Sequence, residues 1–179
     1  HMLAVLARPD VKEHYEIEAD SWLLAAGRNG VPIFTPGWED STTGNMFAAA
    51  VWREELPHHR AVAPGTEQMV KLMRWYLDNN RADVGGPSVG FFQIGGGIAG
   101  DFAICAVPTM IQDLHMDDTP FWGYFAQVSD AVTSYGGYSG AVPNEKITWG
   151  KLAVDTPKFM IESDATIVVP LILAWLLGD

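Results

Sequence analysis

Positive charge is scarce in this sequence. Eleven lysines and arginines stand against 22 aspartates and glutamates, for a formal net charge of −11 over 179 residues. No basic run occurs anywhere, which excludes the lysine and arginine footprint that phosphate-backbone recognition needs. An acidic surface steers cationic ligands such as polyamines, and it serves solubility equally well. Cysteine is almost missing too. Cys105 alone rules out an internal disulfide and fits a reducing compartment; in its apolar run it reads as a buried small hydrophobe. Long hydrophobic runs are absent. The most apolar stretch, Ala165 to Leu177, contains Pro170 and falls short of the roughly 20 residues that span a bilayer, so it reads as a buried core helix. No signal-peptide pattern follows His1-Met2, a pair that reads as a cloning scar, and the expected compartment is the cytoplasm. With no internal repeat and no low-complexity linker, residues 3–179 are expected to form a single domain.

Apolar spacing and end signals mark the elements that are present. Val11 to Arg28 carries Tyr15, Ile17, Trp22, Leu23 and Ala26 at helical spacing and ends in Asn29-Gly30, a C-cap signal. Val31 to Phe34 reads as a short buried strand. Helices are expected from near Gly44, from about Gly65 to Asn79, and from Ile98 to Met110. Strands are expected at Ser88–Ile94, Phe121–Val128 and Lys158–Glu162, with Asp164 opening the terminal helix. Trp22, Trp52 and Trp75 are expected in the core. Strands alternating with helices indicate an α/β fold with a mostly parallel sheet and helices on both faces, in which ligands bind beyond the carboxyl ends of the strands.

The loops at those ends hold the chemistry. Gly95-Gly96-Gly97, between a strand and a helix, bares backbone N–H groups to an anion, and a tight turn would need the same glycines. Asp164 and Asp40 each precede a helix, where capping alone accounts for them; an aspartate at a strand's carboxyl end can also hold a ribose hydroxyl. Asp113, His115, Asp117 and Asp118 read as a solvated loop. Asn144 to Lys151 sets a lysine behind a tryptophan, with Glu145 six residues upstream of Lys151. A lysine amine forms imines when its surroundings keep it unprotonated, and Trp149 supplies an apolar, π-rich wall. Alone, this cluster reads more readily as a strand end with a surface lysine.

In order, Val31-Pro32-Ile33-Phe34-Thr35-Pro36 with Asp40 and Gly44, Ile94 to Gly97, Ser139-Gly140, Glu145 with Trp149-Gly150-Lys151, and Asp164-Ala165 before Pro170-Leu171 resemble the C-terminal half of deoxyhypusine synthase. The resemblance runs from residue 15 to 177. It implies a Rossmann-like fold, a tetramer-like homo- or hetero-oligomer, and NAD at subunit interfaces. It also implies aminobutyl transfer from a polyamine such as spermidine, as an imine on Lys151, to an acceptor amine. By the same resemblance Trp149 and Glu145 would contact the polyamine, while Gly95, Gly96, Gly97, Ser139, Asp164, Ala165 and Asp40 would contact NAD. Gly100-Asp101 stands where the family has a lysine-histidine pair, which places Asp101 beside the substrate. Tyr135, Tyr138 and Asn45 replace family aspartates, so a different amine or acceptor is expected, with Asn45 among the substrate contacts. The family's N-terminal half has no counterpart here: either the sequence is a piece of a longer chain that carries it, or a companion polypeptide supplies it. The alternative is a non-catalytic NAD-binding or regulatory subunit.

Overall fold

The computed structural model describes residues 8–12, 21–133 and 137–178. Residues 1–34 and 35–179 separate into two compact units. The first contains α1 (Pro9–Lys12) and α2 (Trp22–Arg28). Ser21 caps α2 by accepting from Leu24 N, and Asn29 and Gly30 close it as expected, Gly30 at φ 64°. The part of the expected helix that carries Tyr15 and Ile17 lies outside the described residues. Val31 to Phe34 does not form the expected strand; the run has no ladder partner among the described residues. Trp22, assigned to the core from its spacing, is 73% exposed.

The second unit contains α3 (Thr42–Trp52), α4 (Gly65–Asn79), β1 (Gly90–Ile94), α5 (Ile98–Ile104), β2 (Tyr124–Ser129), α6 (Pro143–Thr148), β3 (Lys158–Glu162) and α7 (Ala165–Leu177). The strands form one parallel sheet in the order β1-β2-β3, the α/β architecture expected from alternating strands and helices. α4 matches its expected bounds because Gln68, Leu72 and Tyr76 recur every fourth residue and bury one stripe. The helix expected over Ile98–Met110 is interrupted. α5 ends at Ile104, Cys105 makes a turn, and Ala106–Pro108 leads into a π-helical turn at Thr109–Asp113. Pro108 offers no N–H to an α-helical ladder.

The core lies on one side of the sheet. Tyr76, Ile104, Val107, Met110, Trp122, Phe125 and Leu152 bury together, with Phe91 and Trp75 packed against them. Trp122 sits edge-on to Tyr76 at 4.5 Å and to Phe91 at 5.1 Å. Its buried polar atoms are satisfied: Trp122 Nε1 donates to Ile104 O, Tyr76 OH to Pro120 O, and Asn80 Nδ2 to Tyr76 OH.

Register pairs Phe91 with Phe125 and Phe92 with Ala126, so alternation directs Phe92, Ile94, Tyr124 and Phe159 to the face opposite the core. All four are exposed there. The terminal helix departs furthest from expectation. α7 runs against β2, yet none of its residues is buried. Ile167, Leu171 and Trp175, at i, i+4 and i+8, form a stripe exposed by 62%, 67% and 80%. An apolar run signals that a helix is to be covered, without saying by what. Trp52, also assigned to the core, is 89% exposed. No helix among the described residues is long and apolar enough to cross a membrane.

Candidate functional site: a two-lysine cavity beside a glycine turn

The geometry of Lys151 follows from the end of α6. Pro143 begins this helix at its first position, where a missing N–H costs nothing. Gly150, at φ 70°, ends it. Gly150 N donates to Ile147 O and Lys151 N to Lys146 O, at 3.0 and 2.9 Å. This 5→2 and 6→1 pair is a Schellman cap, and its left-handed residue is the reason for glycine between tryptophan and lysine. The cap turns Lys151 back over the helix and brings its backbone against that of Lys146.

Both side chains enter one cavity of about 360 Å³, whose walls include Asp101, Cys105, Pro108, Tyr138, Glu145 and Trp149. Lys151 is 7% exposed and donates to Asp101 Oδ1 at 2.9 Å. Asp101 Oδ1 also accepts from Cys105 Sγ at 3.6 Å. Asp101, expected against a substrate, is therefore engaged by the lysine itself. Cys105, expected to be buried, is half-buried; burial pushes its thiol up, the charge of Lys151 opposes this, and Asp101 adds to it. Lys146 had no expected role, yet it is buried in the same wall at 2% exposure. Its Nζ donates to Ala141 O and lies 4.8 Å from the Phe125 ring centroid and 5.1 Å from that of Tyr138.

A second group of expected residues gathers at the carboxyl ends of β1 and β2. Gly95 and Gly97 adopt φ of 78° and 75°, which L side chains rarely reach. A side chain at Gly96 would collide with Ser139, so the glycine turn and the 3₁₀ turn Tyr138–Gly140 pack as one surface. Gln127 Nε2 donates to both Gly95 O and Ser139 O, while its buried Oε1 has no partner among the described residues. Gly37, in the loop that carries Asp40, closes against Ile98 at the head of α5.

Asp164 caps α7. Its Oδ1 accepts from Thr166 N and Oγ1 at 2.7 and 2.6 Å, bonds that hold its carboxyl below the usual range. Ala165 follows it as the first residue of α7. The sheet order puts Asp164 on the same carboxyl edge as Gly95, two strand spacings or roughly 10 Å away. Asp40 and Asn45 are exposed and do not line the lysine cavity; Ser41, not Asp40, caps α3 by accepting from Gly44 N. Tyr135 lies outside the described residues. Among the described residues, no three histidine, cysteine or carboxylate side chains converge to hold a metal ion.

Comparison with known proteins gives the family of the chain. The family model for deoxyhypusine synthase matches residues 10–176. The chain belongs to the deoxyhypusine synthase family. It is 28% identical over 172 residues to a deoxyhypusine synthase-like protein of Nostoc punctiforme, covering 94% of this chain and 42% of that protein. Probable deoxyhypusine synthase 2 of Archaeoglobus fulgidus is 27% identical over 161 residues, covering 90% and 49%. A probable deoxyhypusine synthase of Aeropyrum pernix is 29% identical over 172 residues, covering 90% and 46%. The chain thus spans less than half the length of these relatives. Deoxyhypusine synthases form a transferase family, and the α/β fold with its parallel sheet agrees with that membership.

Proposed function

We propose that this chain is the lysine-bearing part of an NAD-dependent aminoalkyl transferase that takes its group from a polyamine. The observation that carries this reading is the cavity: Lys151 is buried in it beside Trp149, with Glu145 and Asp101 on its walls. An indole and carboxylates suit an alkylammonium chain, and a desolvated lysine suits imine formation.

The glycine turn fits a dinucleotide. Space beside Gly95 and Gly97 is open, so their backbone can approach a pyrophosphate closely. Asp164 keeps Oδ2 clear of the capping bonds, where a ribose hydroxyl can be held. Ser139 and Ala165 border the same strand-end surface, and Asp40 would reach it from the loop seated on Ile98. Bound there, NAD would supply hydride acceptance at the carbon beside the polyamine's secondary amine. The role of Lys151 would be to attack that carbon at the imine level: its lone pair would form the new C–N bond, the old C–N bond would break, and diaminopropane would leave with the proton. Asp101, 2.9 Å away, is placed to take and return the lysine proton. Asn45, exposed on α3, is left to a substrate or acceptor reaching outside the cavity.

The remainder of the assembly is part of the proposal. The exposed sheet face and the stripe on α7 need cover, because parallel sheets are buried on both faces. A companion segment or subunit, in a tetramer-like oligomer, meets that need. The test is to incubate the assembled protein with NAD and a panel of polyamines, reduce with borohydride, and map adducts by mass. An aminoalkyl adduct on Lys151 that vanishes in Lys151→Ala is expected; no adduct across the panel overturns the reading.

A second reading, a non-catalytic NAD-binding or regulatory subunit, is favoured by the Asp101–Lys151 ion pair, which ties up the amine. Unchanged turnover of the assembled complex carrying Lys151→Ala would select it.

A further inference from the structure

The cavity holds two buried lysines, and the Lys151 chemistry uses only one. They differ in what their amines meet. Lys151 is ion-paired to Asp101 at 2.9 Å. Lys146 has no ion pair among the described residues; a single carbonyl, Ala141 O, accepts from it, and the rings of Phe125 and Tyr138 flank it. It is the more buried of the two, at 2% against 7%. A lysine becomes a nucleophile when it is desolvated or set beside another cation, and Lys146 meets both conditions.

We propose that Lys146 is a second imine-forming amine of this cavity, one that takes short aliphatic aldehydes or imines. The walls fit that class. Pro108, Ala141, Tyr138 and Trp149 offer apolar surface to a short alkyl chain, and the volume of about 360 Å³ suits a small molecule. Burial holds the Lys146 amine below the ordinary lysine range and the charge of Lys151 adds to this, while Glu145 and Asp101 oppose it. Cys105, Asp113 and the Tyr138 hydroxyl are the other titratable groups on the same walls. Of these, the Cys105 thiol and the Tyr138 hydroxyl are both pushed up by burial, which keeps them protonated and uncharged near neutral pH.

The step balances without an oxidant. The Lys146 lone pair bonds to the carbonyl carbon, and the C=O π pair moves to oxygen, which takes a proton. Loss of water then gives the imine. With an imine in place of the aldehyde, the departing group is an amine. An imine carried on Lys151 is one such reactant, so the two lysines can exchange a group within the cavity.

The test uses the native protein with butanal and cyanoborohydride, and neither NAD nor a polyamine. Each lysine's alkylation rate is read by peptide mass, with the exposed Lys71 as internal reference. Near neutral pH Lys146 is expected to label several-fold faster than Lys71. The ratio should fall to one or below at about pH 10.5, where ordinary lysines also lose their protons. Lys151→Met, which removes the neighbouring cation, should slow Lys146 several-fold near neutral pH without changing Lys71. Labelling of Lys146 no faster than Lys71, or label on Lys151 alone, overturns the proposal. Either result leaves the NAD-dependent polyamine reading standing, since that rests on a different adduct on a different lysine.

Discussion

On one face of the sheet Phe91 and Phe125 stack at 6.0 Å beside Trp122, Ile104 and Met110. On the other, Phe92, Ile94, Tyr124 and Phe159 are between 41% and 56% exposed. Both faces carry aromatic and β-branched residues, so composition does not separate them. What differs is the cover. α4, α5 and the turns after α5 close the first face, whereas nothing among the described residues closes over those four side chains on the second. Apolar sequence states a need for burial, and on the second face that need is met at Ala126 and Val128, 2% and 0% exposed, but not at these four side chains. The exposed rings on the second face and the bare stripe of α7 are two parts of the same unmet need.

The largest effect is expected on the covered side. Trp122→Ala removes two edge-on aromatic contacts and a buried hydrogen bond, and should destabilise the chain by about 3–5 kcal/mol, read from the denaturant midpoint. On the open side Phe159→Ala should cost under about 0.5 kcal/mol in the chain alone, because that ring is 52% exposed and its aromatic contact is a tilted one with Tyr124, at 5.8 Å. A cost on the open side as large as that of Trp122→Ala would erase the contrast.

Leu171→Asp sharpens the contrast in another way. It should leave the stability of the chain within about 0.5 kcal/mol while weakening association, measured by sedimentation. Unaltered association would mean that the exposed stripe of α7 is not an interface. The smallest effect concerns the cavity wall. Burial and Asp101 both push the Cys105 thiol up, so thiolate is scarce at neutral pH and alkylation is slow. Asp101→Asn removes one of the raising influences and should speed iodoacetamide labelling modestly near neutral pH, with little change once the thiol is fully ionised.

Much of the fold was legible in the sequence because periodicity reports local burial. α4, β3 and α7 begin and end where apolar spacing and caps place them. Val31–Phe34 shows the limit: four apolar residues look like a strand, but a strand exists only when a neighbour supplies hydrogen bonds. At Thr35, the backbone N–H bonds instead to Gln68 Oε1 at 2.7 Å. The fate of α7 was hidden for a related reason, since spacing defines a stripe and not its partner.

At the site, Lys151, Trp149, Glu145 and Asp101 are brought to one cavity, whereas Asp40 and Asn45 stay outside it. Lys146 escaped notice although a signal was present. Gly150 marks a Schellman cap, and such a cap folds the residue after the glycine back onto the carbonyl five residues earlier. The spacing of the two lysines already implied their proximity.

Tyr138 has a consequence that reaches beyond its own position. Its ring lies 5.1 Å from one amine and 5.3 Å from the other, while its hydroxyl donates to Gln93 Oε1 at 2.8 Å. Gln93 Nε2 in turn holds Gly95 O at 2.9 Å. One rigid phenol is thus the floor of the amine cavity and a strut beneath the glycine turn. The cavity wall and the support of the turn share one side chain, and neither can be altered at Tyr138 without touching the other.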